Sequence, residues 1–371
     1  MFIRVIEEQI IAKLFKKKAI IIYWPRQVGK TTLVKKIMQT QIKSLYLTGD
    51  DPSVRSMLTN PSLQQLQELC KDCSMLILDE AQRIENIGIT MKLIIDNIPQ
   101  TQLIATWSSS FELAQSISEP LTGRIYLFHL YPIARSEIGQ HYDIIQRKTL
   151  YKQLMTIWCY PDIMSSADQI EDLRTLVNNY LYKDILEFQR LKKSDSIIKL
   201  LQALALQIWS EVSYHELAQI VWIDTSTIEK YIDLLEKSFV IFRLPSLARN
   251  VRNELKKSKK IYFWDCGVRN ALINSFNPLD LRADVWALWE NFWIAERMKH
   301  LSYSKQYKQS YFWRTQQQQE IDYIEYGDLH YDAFEIKRSW VKQPSIPATF
   351  ANNYDHSFHI INPQNFEQWL V

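Results

Sequence analysis

A short apolar segment that leads directly into a Gly-Lys-Thr sequence constrains the fold of this chain most. Ala19-Ile-Ile-Ile-Tyr23 is apolar throughout, as expected for a parallel strand that is buried on both faces. Gly29-Lys30-Thr31 follows it and opens a helical stretch that ends near Met38. This order is typical of the second half of a phosphate-binding loop, in which backbone N–H groups and the helix N-terminus face phosphates.

Apolar segments recur along the next hundred residues, separated by stretches long enough for helices. They lie at Ser44–Leu47, Ser74–Leu78, Gln102–Thr106 and Ile125–Leu130. Strands that alternate with helical segments predict a parallel sheet that is covered by helices. We therefore expect a three-layer α/β domain of the P-loop NTPase type over residues 1–140.

Two acids end one of these strands, in the sequence Met75-Leu-Ile-Leu-Asp79-Glu80. We expect Asp79 and the Thr31 hydroxyl to hold Mg²⁺, and Glu80 to polarise the attacking water. Lys30 is then expected to contact the β- and γ-phosphates of ATP. The loop residues expected to bind the nucleotide are Pro25, Arg26, Gln27, Val28, Gly29, Lys30, Thr31 and Thr32. Together, the loop and the acidic strand end favour an ATP site over a chance Gly-Lys-Thr sequence beside an ordinary buried strand.

Two further features are candidates for contact with the phosphates. Ser108 and Ser109 follow the strand Gln102–Thr106, where a hydroxyl could sense the γ-phosphate, although such serines also cap helices. Arg124 follows Leu121-Thr-Gly123 and could contact a phosphate, as a catalytic group, in its own or a neighbouring subunit. An ordinary surface arginine is the alternative for Arg124.

The middle of the chain, residues 141–255, is expected to be mainly helical. Apolar residues spaced for one helix face run through Leu173–Leu186. Tyr214–Val221 and Thr225–Lys237 predict two helices joined by a short turn, and Phe239–Leu244 predicts a strand after them. That order is typical of a winged helix-turn-helix. The second of these helices carries three acids against two lysines, which makes it a poor face for DNA phosphates.

Residues 256–371 return to a mixed α/β pattern. The predicted elements are a strand at Ile261–Trp264, a helix at Ala287–His300, and strands at Tyr311–Arg314, Glu320–Tyr326 and Ala333–Ile336. Short connections between the last three strands predict a meander of hairpins. Because alternate residues share a face of a strand, Glu320 and Asp322 are expected on one face, and Ile321 and Tyr323 on the other.

Pairing of these strands would bring Asp322, Glu335 and Lys337 together. The arrangement is similar to that of PD-(D/E)xK nucleases, in which carboxylates bind Mg²⁺ and the lysine helps to orient water. Glu290, on the preceding helix, could add a further ligand. The competing interpretations are a solvated face with alternating charges, and a nuclease-like fold that is retained for binding or docking.

Charge and apolar patterning limit the classes of protein to which the chain can belong. It carries 44 Lys and Arg against 41 Asp and Glu, and the net charge of +3 neither favours nor excludes DNA as a partner. Residues 1–18 mix charges into the apolar positions and lack the core of a signal peptide, and no later run of 18 apolar residues could span a membrane. Four cysteines are too few for a disulfide framework. We expect a cytoplasmic protein, with a second copy of the chain as a candidate partner.

Six motifs, spread over nearly the whole chain, carry a family resemblance. They are Pro25-Arg-Gln-Val-Gly-Lys-Thr-Thr-Leu33, Leu76-Ile-Leu-Asp-Glu-Ala-Gln82, Ser109-Ser-Phe-Glu-Leu113, Leu121-Thr-Gly-Arg124, Tyr262-Phe-Trp-Asp265 and Gln319-Glu-Ile-Asp-Tyr323. As a set they resemble the AAA-type P-loop ATPases of bacteria and archaea whose C-terminal half is a domain of unknown function with a restriction-endonuclease-like core. The resemblance implies ATP binding and hydrolysis by Lys30, Thr31, Asp79 and Glu80.

The chain departs from that pattern in its glycines, since it has 12 Trp but only 7 Gly, where average usage would give roughly 26 Gly. Six Trp occupy positions that resemble Gly positions of the family: Trp24, Trp107, Trp158, Trp209, Trp222 and Trp286. Trp264, Trp289 and Trp313 resemble aromatic positions instead. A gene whose UGA codons are read as glycine, but which was translated with UGA as tryptophan, would explain both counts. The alternative is drift to a Trp-rich, degenerate ATPase, in which Trp24 impairs the loop.

Three functions are therefore open. The first is Mg²⁺-dependent ATP hydrolysis that acts as an engine or switch for the C-terminal domains. The second is a metal-dependent DNA phosphodiesterase that is gated by ATP, with its chemistry at Asp322, Glu335 and Lys337. The third is an interaction module that binds ATP without turnover.

Overall fold

The computed structural model describes residues 2–23, 27–108, 120–138, 144–157, 160–178, 194–247, 259–337 and 344–370. The chain forms two compact units. One consists of residues 1–133 with 237–239, and the other of residues 134–236 with 240–371.

The first unit contains a sheet of five parallel strands in the order β2-β3-β4-β1-β5. Their bounds are β1 Ala19–Tyr23, β2 Ser44–Thr48, β3 Met75–Asp79, β4 Gln102–Trp107 and β5 Ile125–His129. All five predicted strands are confirmed to within a residue or two at each end. The side chains of β1, β3 and β4 are almost wholly buried, as the apolar runs predict.

Helices cover this sheet on both faces. They are α1 Ile6–Ile11, α2 Lys30–Met38, α3 Pro52–Leu58, α4 Leu63–Cys70 and α5 Ile87–Asn97. Apolar side chains of α3, α4 and α5 share one core cluster with one face of β1, β3 and β4. The buried residues of α2 lie outside that cluster, and α2 contacts β3 and β4. The three-layer α/β arrangement brings the carboxyl ends of the strands to one edge of the sheet, where such folds bind ligands.

The second unit begins with helices and continues as mixed α/β structure. Its helices are α6 Arg135–Ile138, α7 Ile144–Thr156, α8 Pro161–Met164, α9 at 169–178, α10 Ser194–Leu206, α11 Tyr214–Val221, α12 Thr225–Lys237, α13 Cys266–Leu272, α14 Val285–Tyr303 and α15 Ala348–Ala351. Ser213 caps the N-terminus of α11, and Asp224 accepts the backbone N–H of Thr227 at the start of α12. Both helices thus begin with a side-chain cap and match the predicted pair.

Two smaller sheets lie in the second unit. The first has the strand order β6-β8-β7, with bounds β6 Glu211–Val212, β7 Ile241–Pro245 and β8 Lys259–Phe263. The second has the strand order β12-β11-β10-β9, with bounds β9 Gln309–Arg314, β10 Glu320–Gly327, β11 His330–Ile336 and β12 His356–Ile361. The predicted meander β9-β10-β11 is antiparallel throughout. The sequence did not predict β12, which pairs with β11 in parallel. The sequence of β12 is His-Ser-Phe-His-Ile-Ile, in which polar residues interrupt the apolar ones.

The expectation that Ile321 and Tyr323 share a face of β10 is wrong. The pairing of β10 with β9 shifts register between Ile321 and Ile324, as at a β-bulge. Ile321 and Ile324 therefore lie in one core cluster, while Tyr323 packs against Trp293 of α14. A bulge adds one residue to the strand and so breaks the alternation on which the prediction relied.

Two of the Trp at positions that resemble Gly positions have a backbone conformation that favours glycine. Trp222 ends α11 with φ 61° and is 87% exposed, and Trp209 has φ 74° and is 53% exposed. A bulky residue with positive φ is an outlier, whereas glycine adopts this conformation freely. Trp107, in contrast, is fully buried at the end of β4 and belongs to the core cluster of the first sheet, so its surroundings do not single out glycine.

The three Trp that resemble aromatic positions are buried among other rings. Trp264 packs on Phe242, Trp289 on Phe366 and Trp313 on Phe350. Among the other Gly-like positions, Trp286 lies in the first turn of α14, half-exposed, without a backbone conformation that requires glycine. Trp24 and Trp158 lie outside the described residues.

Candidate functional site

The start of α2 forms one side of the candidate nucleotide site. Gly29 precedes the helix with φ 93°, a left-handed conformation that suits glycine. Lys30 is the first residue of α2 and is 95% buried, and Val28 is fully buried. The Arg4 guanidinium donates a hydrogen bond to the Val28 carbonyl at 2.7 Å, which fixes the described part of the loop. The first loop residues, Trp24, Pro25 and Arg26, lie outside the described residues.

Asp79, at the carboxyl end of β3, accepts hydrogen bonds from hydroxyl groups on three neighbouring elements. Thr31 Oγ1 of α2 donates to Asp79 Oδ2 at 2.7 Å. Tyr46 Oη of β2 donates to the same oxygen at 2.5 Å, and Thr106 Oγ1 of β4 donates to Asp79 Oδ1. Burial and the hydrogen bond to Asp79 raise the pKa of Tyr46, so the phenol stays a donor at neutral pH.

Glu80 follows Asp79 in a strained backbone conformation. Its φ is 49°, and its backbone N–H donates to Thr106 Oγ1 at 2.9 Å. Gly49 N–H donates to the Asp79 carbonyl at 2.8 Å, and a Cβ at Gly49 would lie only 2.4 Å from the Glu80 carbonyl oxygen. Glycine is therefore required at position 49, and the loop after β2 supports the backbone of Glu80.

The side chain of Glu80 contacts Gln82, which lies in the short 3₁₀ turn Ala81–Arg83. Gln82 Nε2 is 2.5 Å from Glu80 Oε2 and 2.7 Å from Ser108 Oγ. Ser108 directly follows β4, so Gln82 links the ends of two strands. Ser109, the other candidate sensor, lies outside the described residues.

The groups at Thr31 and Asp79 fit a hydrated Mg²⁺, and those at the start of α2 fit the phosphates of a nucleotide. A threonine hydroxyl and a carboxylate, 2.7 Å apart, are hard oxygen ligands of the kind that Mg²⁺ prefers. Lys30 and the N-terminus of α2 add positive charge at the start of the helix that carries Thr31.

Other predicted residues lie apart from these contacts. The side chains of Gln27 and Thr32 are exposed. Arg124 precedes β5, and its backbone carbonyl accepts the N–H of Ala19 at the amino end of β1. Its guanidinium pairs with Asp96 at 2.7 Å. Arg124 thus lies at the opposite edge of the sheet from Lys30 of the same chain, and its role toward a neighbouring subunit stays a prediction.

Tyr46, Thr106 and Gln82 have no role that could be read from the sequence. Tyr46 and Thr106 meet Asp79 because β2 and β4 flank β3, and strand order is not encoded in any single strand. Gln82 is the last residue of the motif Leu76–Gln82. Its contact with Ser108 joins residues 26 positions apart, which the motif does not predict. The available signal is weak: each is a polar residue in or beside an apolar strand.

The C-terminal residues Asp322, Glu335 and Lys337 come together, as expected. Lys337 Nζ lies 2.7 Å from Glu335 Oε1 and 3.3 Å from Asp322 Oδ2. The backbone N–H of Ile336 also donates to Asp322 Oδ2 at 2.8 Å. Burial raises the pKa of Glu335 to about 7, and the nearby Asp322 carboxylate adds to this shift.

Glu290 belongs to the same cluster and is held by two further side chains. Glu290 Oε1 accepts a hydrogen bond from Tyr262 at 2.5 Å and lies 3.2 Å from Lys260 Nζ. Lys260 is almost fully buried and also pairs with Glu320 at 2.6 Å. Burial raises the pKa of Glu290 to about 7, although Lys260 opposes this shift.

Within the described ranges, no group of three or more His, Cys, Asp or Glu side chains is arranged to hold a metal ion. The described helices include none whose length and apolarity would suit a bilayer crossing.

Comparison with protein families gives three matches along the chain. Residues 16–139 match a family described as an AAA domain. Residues 148–279 and 287–370 match two domains of unknown function, DUF8612 and DUF4143. The AAA-domain match coincides with the parallel sheet and the site at its edge.

Two proteins and one solved structure are similar to long stretches of the chain. An uncharacterized protein of Mycobacterium tuberculosis is 25% identical over 345 residues, which are 90% of this chain and 73% of that protein. An uncharacterized protein of Methanocaldococcus jannaschii is 25% identical over 298 residues, covering 69% of this chain and 63% of that protein. The structure of a Walker-type ATPase of Pyrococcus abyssi has a TM-score of 0.51 and 14% identity, over 74% of this chain and 96% of that one. The match and the fold support a P-loop ATPase domain in the N-terminal unit.

Proposed function

We propose that this chain is a Mg²⁺-dependent ATPase whose N-terminal domain serves as an engine or switch for the rest of the protein. Lys30 and the N–H groups at the start of α2 bind the phosphates. Thr31 and Asp79 hold the metal, which neutralises charge on the phosphoryl group when bound. Glu80 orients a water for attack on the γ-phosphate and accepts its proton, while the bond to ADP breaks.

One observation carries this proposal, namely the hydrogen bond from Thr31 Oγ1 to Asp79 Oδ2 at 2.7 Å. It joins the loop to the acidic strand end across 48 positions of sequence. A Gly-Lys-Thr sequence that occurred by chance is not expected to form a hydrogen bond with a buried carboxylate at a strand end. Glu80 is the next residue, so the candidate base lies beside the candidate metal ligands.

ATP turnover tests the proposal directly. We would measure Mg²⁺-dependent phosphate release by the protein and by its Trp24→Gly variant, with Lys30→Ala as the blank. We expect Trp24→Gly to hydrolyse ATP, and Glu80→Gln to retain ATP binding while it loses about 100-fold or more in turnover. If neither the protein nor Trp24→Gly exceeds the blank, the ATPase proposal fails.

A metal-dependent DNA phosphodiesterase is the second candidate, and the carboxylate–lysine cluster of the C-terminal unit favours it. Asp322 and Glu335 share Lys337 between them, as the nuclease resemblance implies. We would measure Mg²⁺-dependent cleavage of plasmid DNA. Cleavage that is lost in Glu335→Ala but kept in Lys30→Ala would support this candidate, and cleavage that Glu335→Ala retains would oppose it.

A further inference from the structure

Gln82 is the described side chain that contacts both the candidate base and the candidate phosphate sensor. Its Nε2 atom lies 2.5 Å from Glu80 Oε2 and 2.7 Å from Ser108 Oγ. Glu80 directly follows β3, and Ser108 directly follows β4. Gln82 therefore contacts Glu80, the candidate base for the attacking water, and Ser108, the candidate sensor of the γ-phosphate.

The chemistry of these groups sets the direction of both hydrogen bonds. A glutamine amide nitrogen has two N–H donors, and an ionised carboxylate can only accept. Gln82 therefore donates to Glu80 Oε2 and fixes the direction of this carboxylate. Its second N–H points to Ser108 Oγ, which leaves the serine O–H able to donate elsewhere. A hydroxyl oriented in this way suits a phosphate oxygen.

The backbone holds Gln82 in this place. Arg83 N–H donates to the Glu80 carbonyl at 3.1 Å and closes the 3₁₀ turn around Gln82. Arg83 also pairs with Asp50 at 2.9 Å. The Gln82 Oε1 atom is buried and has no hydrogen-bond partner in the described part of the chain. The bonds to Glu80 and Ser108 are therefore those that orient this amide.

We propose that Gln82 is a positioning residue that couples the Glu80 carboxylate to contact between Ser108 and the γ-phosphate. The Gln82 amide holds the Glu80 carboxylate in one direction, and it turns the Ser108 hydroxyl toward the phosphate. When the Ser108 hydroxyl contacts the γ-phosphate, the Gln82 amide holds Glu80 where it can orient the water that attacks the phosphate. This inference rests on the proposed ATPase function and specifies how the same site responds to its substrate.

The test uses Gln82→Leu, which keeps the size of the side chain but removes both N–H donors. The matched control is Gln67→Leu, the same change at an exposed position of α4. Both are made in the full chain, in the protein or in Trp24→Gly, whichever hydrolyses ATP. We expect kcat to fall by about 10- to 100-fold in Gln82→Leu, as for loss of a hydrogen bond to a charged group, with KM for ATP within about twofold. The control should keep the parent kcat.

Two further variants separate coupling from a structural role. Ser108→Ala should lower kcat, and the double variant Gln82→Leu/Ser108→Ala should lose little more than the more impaired single variant. Gln82→Met serves as the second variant if Gln82→Leu does not fold.

Distinct results would overturn the coupling and the function. Turnover that depends on Lys30 but has the same kcat in Gln82→Leu as in Gln67→Leu overturns the coupling and leaves the ATPase function intact. A rise in KM together with a lower unfolding midpoint overturns it as well, because that pattern belongs to a structural role. Absence of turnover above Lys30→Ala overturns both.

Discussion

Replacement of Trp222 by glycine should stabilise the second unit. Trp222 ends α11 at φ 61° and ψ 46°, and its N–H donates to the Ala218 carbonyl, as in a helix C-terminus that favours glycine. An L-residue in this left-handed conformation costs about 1–2 kcal/mol. Glycine removes that cost but adds backbone entropy to the unfolded chain, an opposing term of about 0.5–1 kcal/mol.

The net gain expected for Trp222→Gly is about 0.5–1 kcal/mol, because an indole that is 87% exposed contributes little burial. Trp209→Gly should give a similar gain, since Trp209 has φ 74° and is 53% exposed. In a unit of this size, 1 kcal/mol corresponds to about 2–4 °C in the unfolding midpoint.

Thermal and urea unfolding, followed by far-UV circular dichroism, would measure the effect without relying on Trp fluorescence. Trp222→Ala is the matched control, because alanine removes the indole but keeps the Cβ that is strained at positive φ. Trp289→Gly is the opposite control: Trp289 is fully buried, and its loss should cost about 3–5 kcal/mol or more. The reasoning is refuted if Trp222→Ala stabilises the unit as much as Trp222→Gly, or if Trp222→Gly lowers the midpoint.

Three other outcomes are expected. Tyr46→Phe removes a hydroxyl that donates to Asp79 at 2.5 Å, and should raise the Mg²⁺ concentration for half-maximal turnover by about 10-fold at nearly constant KM for ATP; an unchanged Mg²⁺ dependence would contradict this. Because the folded-state pKa of Glu335 is raised to about 7, its protonated form favours the fold, so stability should fall as pH rises from about 4.5 through 7. Thermal midpoints at pH 5 and pH 8 should show a smaller fall in Glu335→Gln, and an equal fall would exclude Glu335 as its source. The nucleotide sequence should carry UGA at codons 24, 107 and 222, whereas UGG there would end the recoding hypothesis.

Sequence patterns predicted the five strands of the first sheet and the pair of helices α11 and α12 because each has a strong local signal. The buried strands of the first sheet are apolar runs, and α11 and α12 are amphipathic segments with side-chain caps. The short strand β6 and the half-buried strand β12 have no such signal and were missed. The bulge in β10 was missed for a related reason, since it depends on pairing with β9 rather than on the pattern of β10 itself.

The candidate sites divide in the same way. Lys30, Thr31, Asp79 and Glu80 could be found from the sequence, because the chemistry of phosphate binding demands those residue types at the ends of a loop and a strand. The C-terminal residues Asp322, Glu335 and Lys337 could be grouped because hairpins bring neighbouring strands together.

The sequence by itself determined which segments become strands and helices and which residues carry the phosphate-site chemistry. Tertiary structure decided which side chains meet: Tyr46 and Thr106 at Asp79, Gln82 between Glu80 and Ser108, and Arg124 with Asp96 at the far edge. Local patterns report burial and backbone preference, which act over a few residues. Contacts between strands depend on their order and register in the sheet, which are set by the packing of the whole unit.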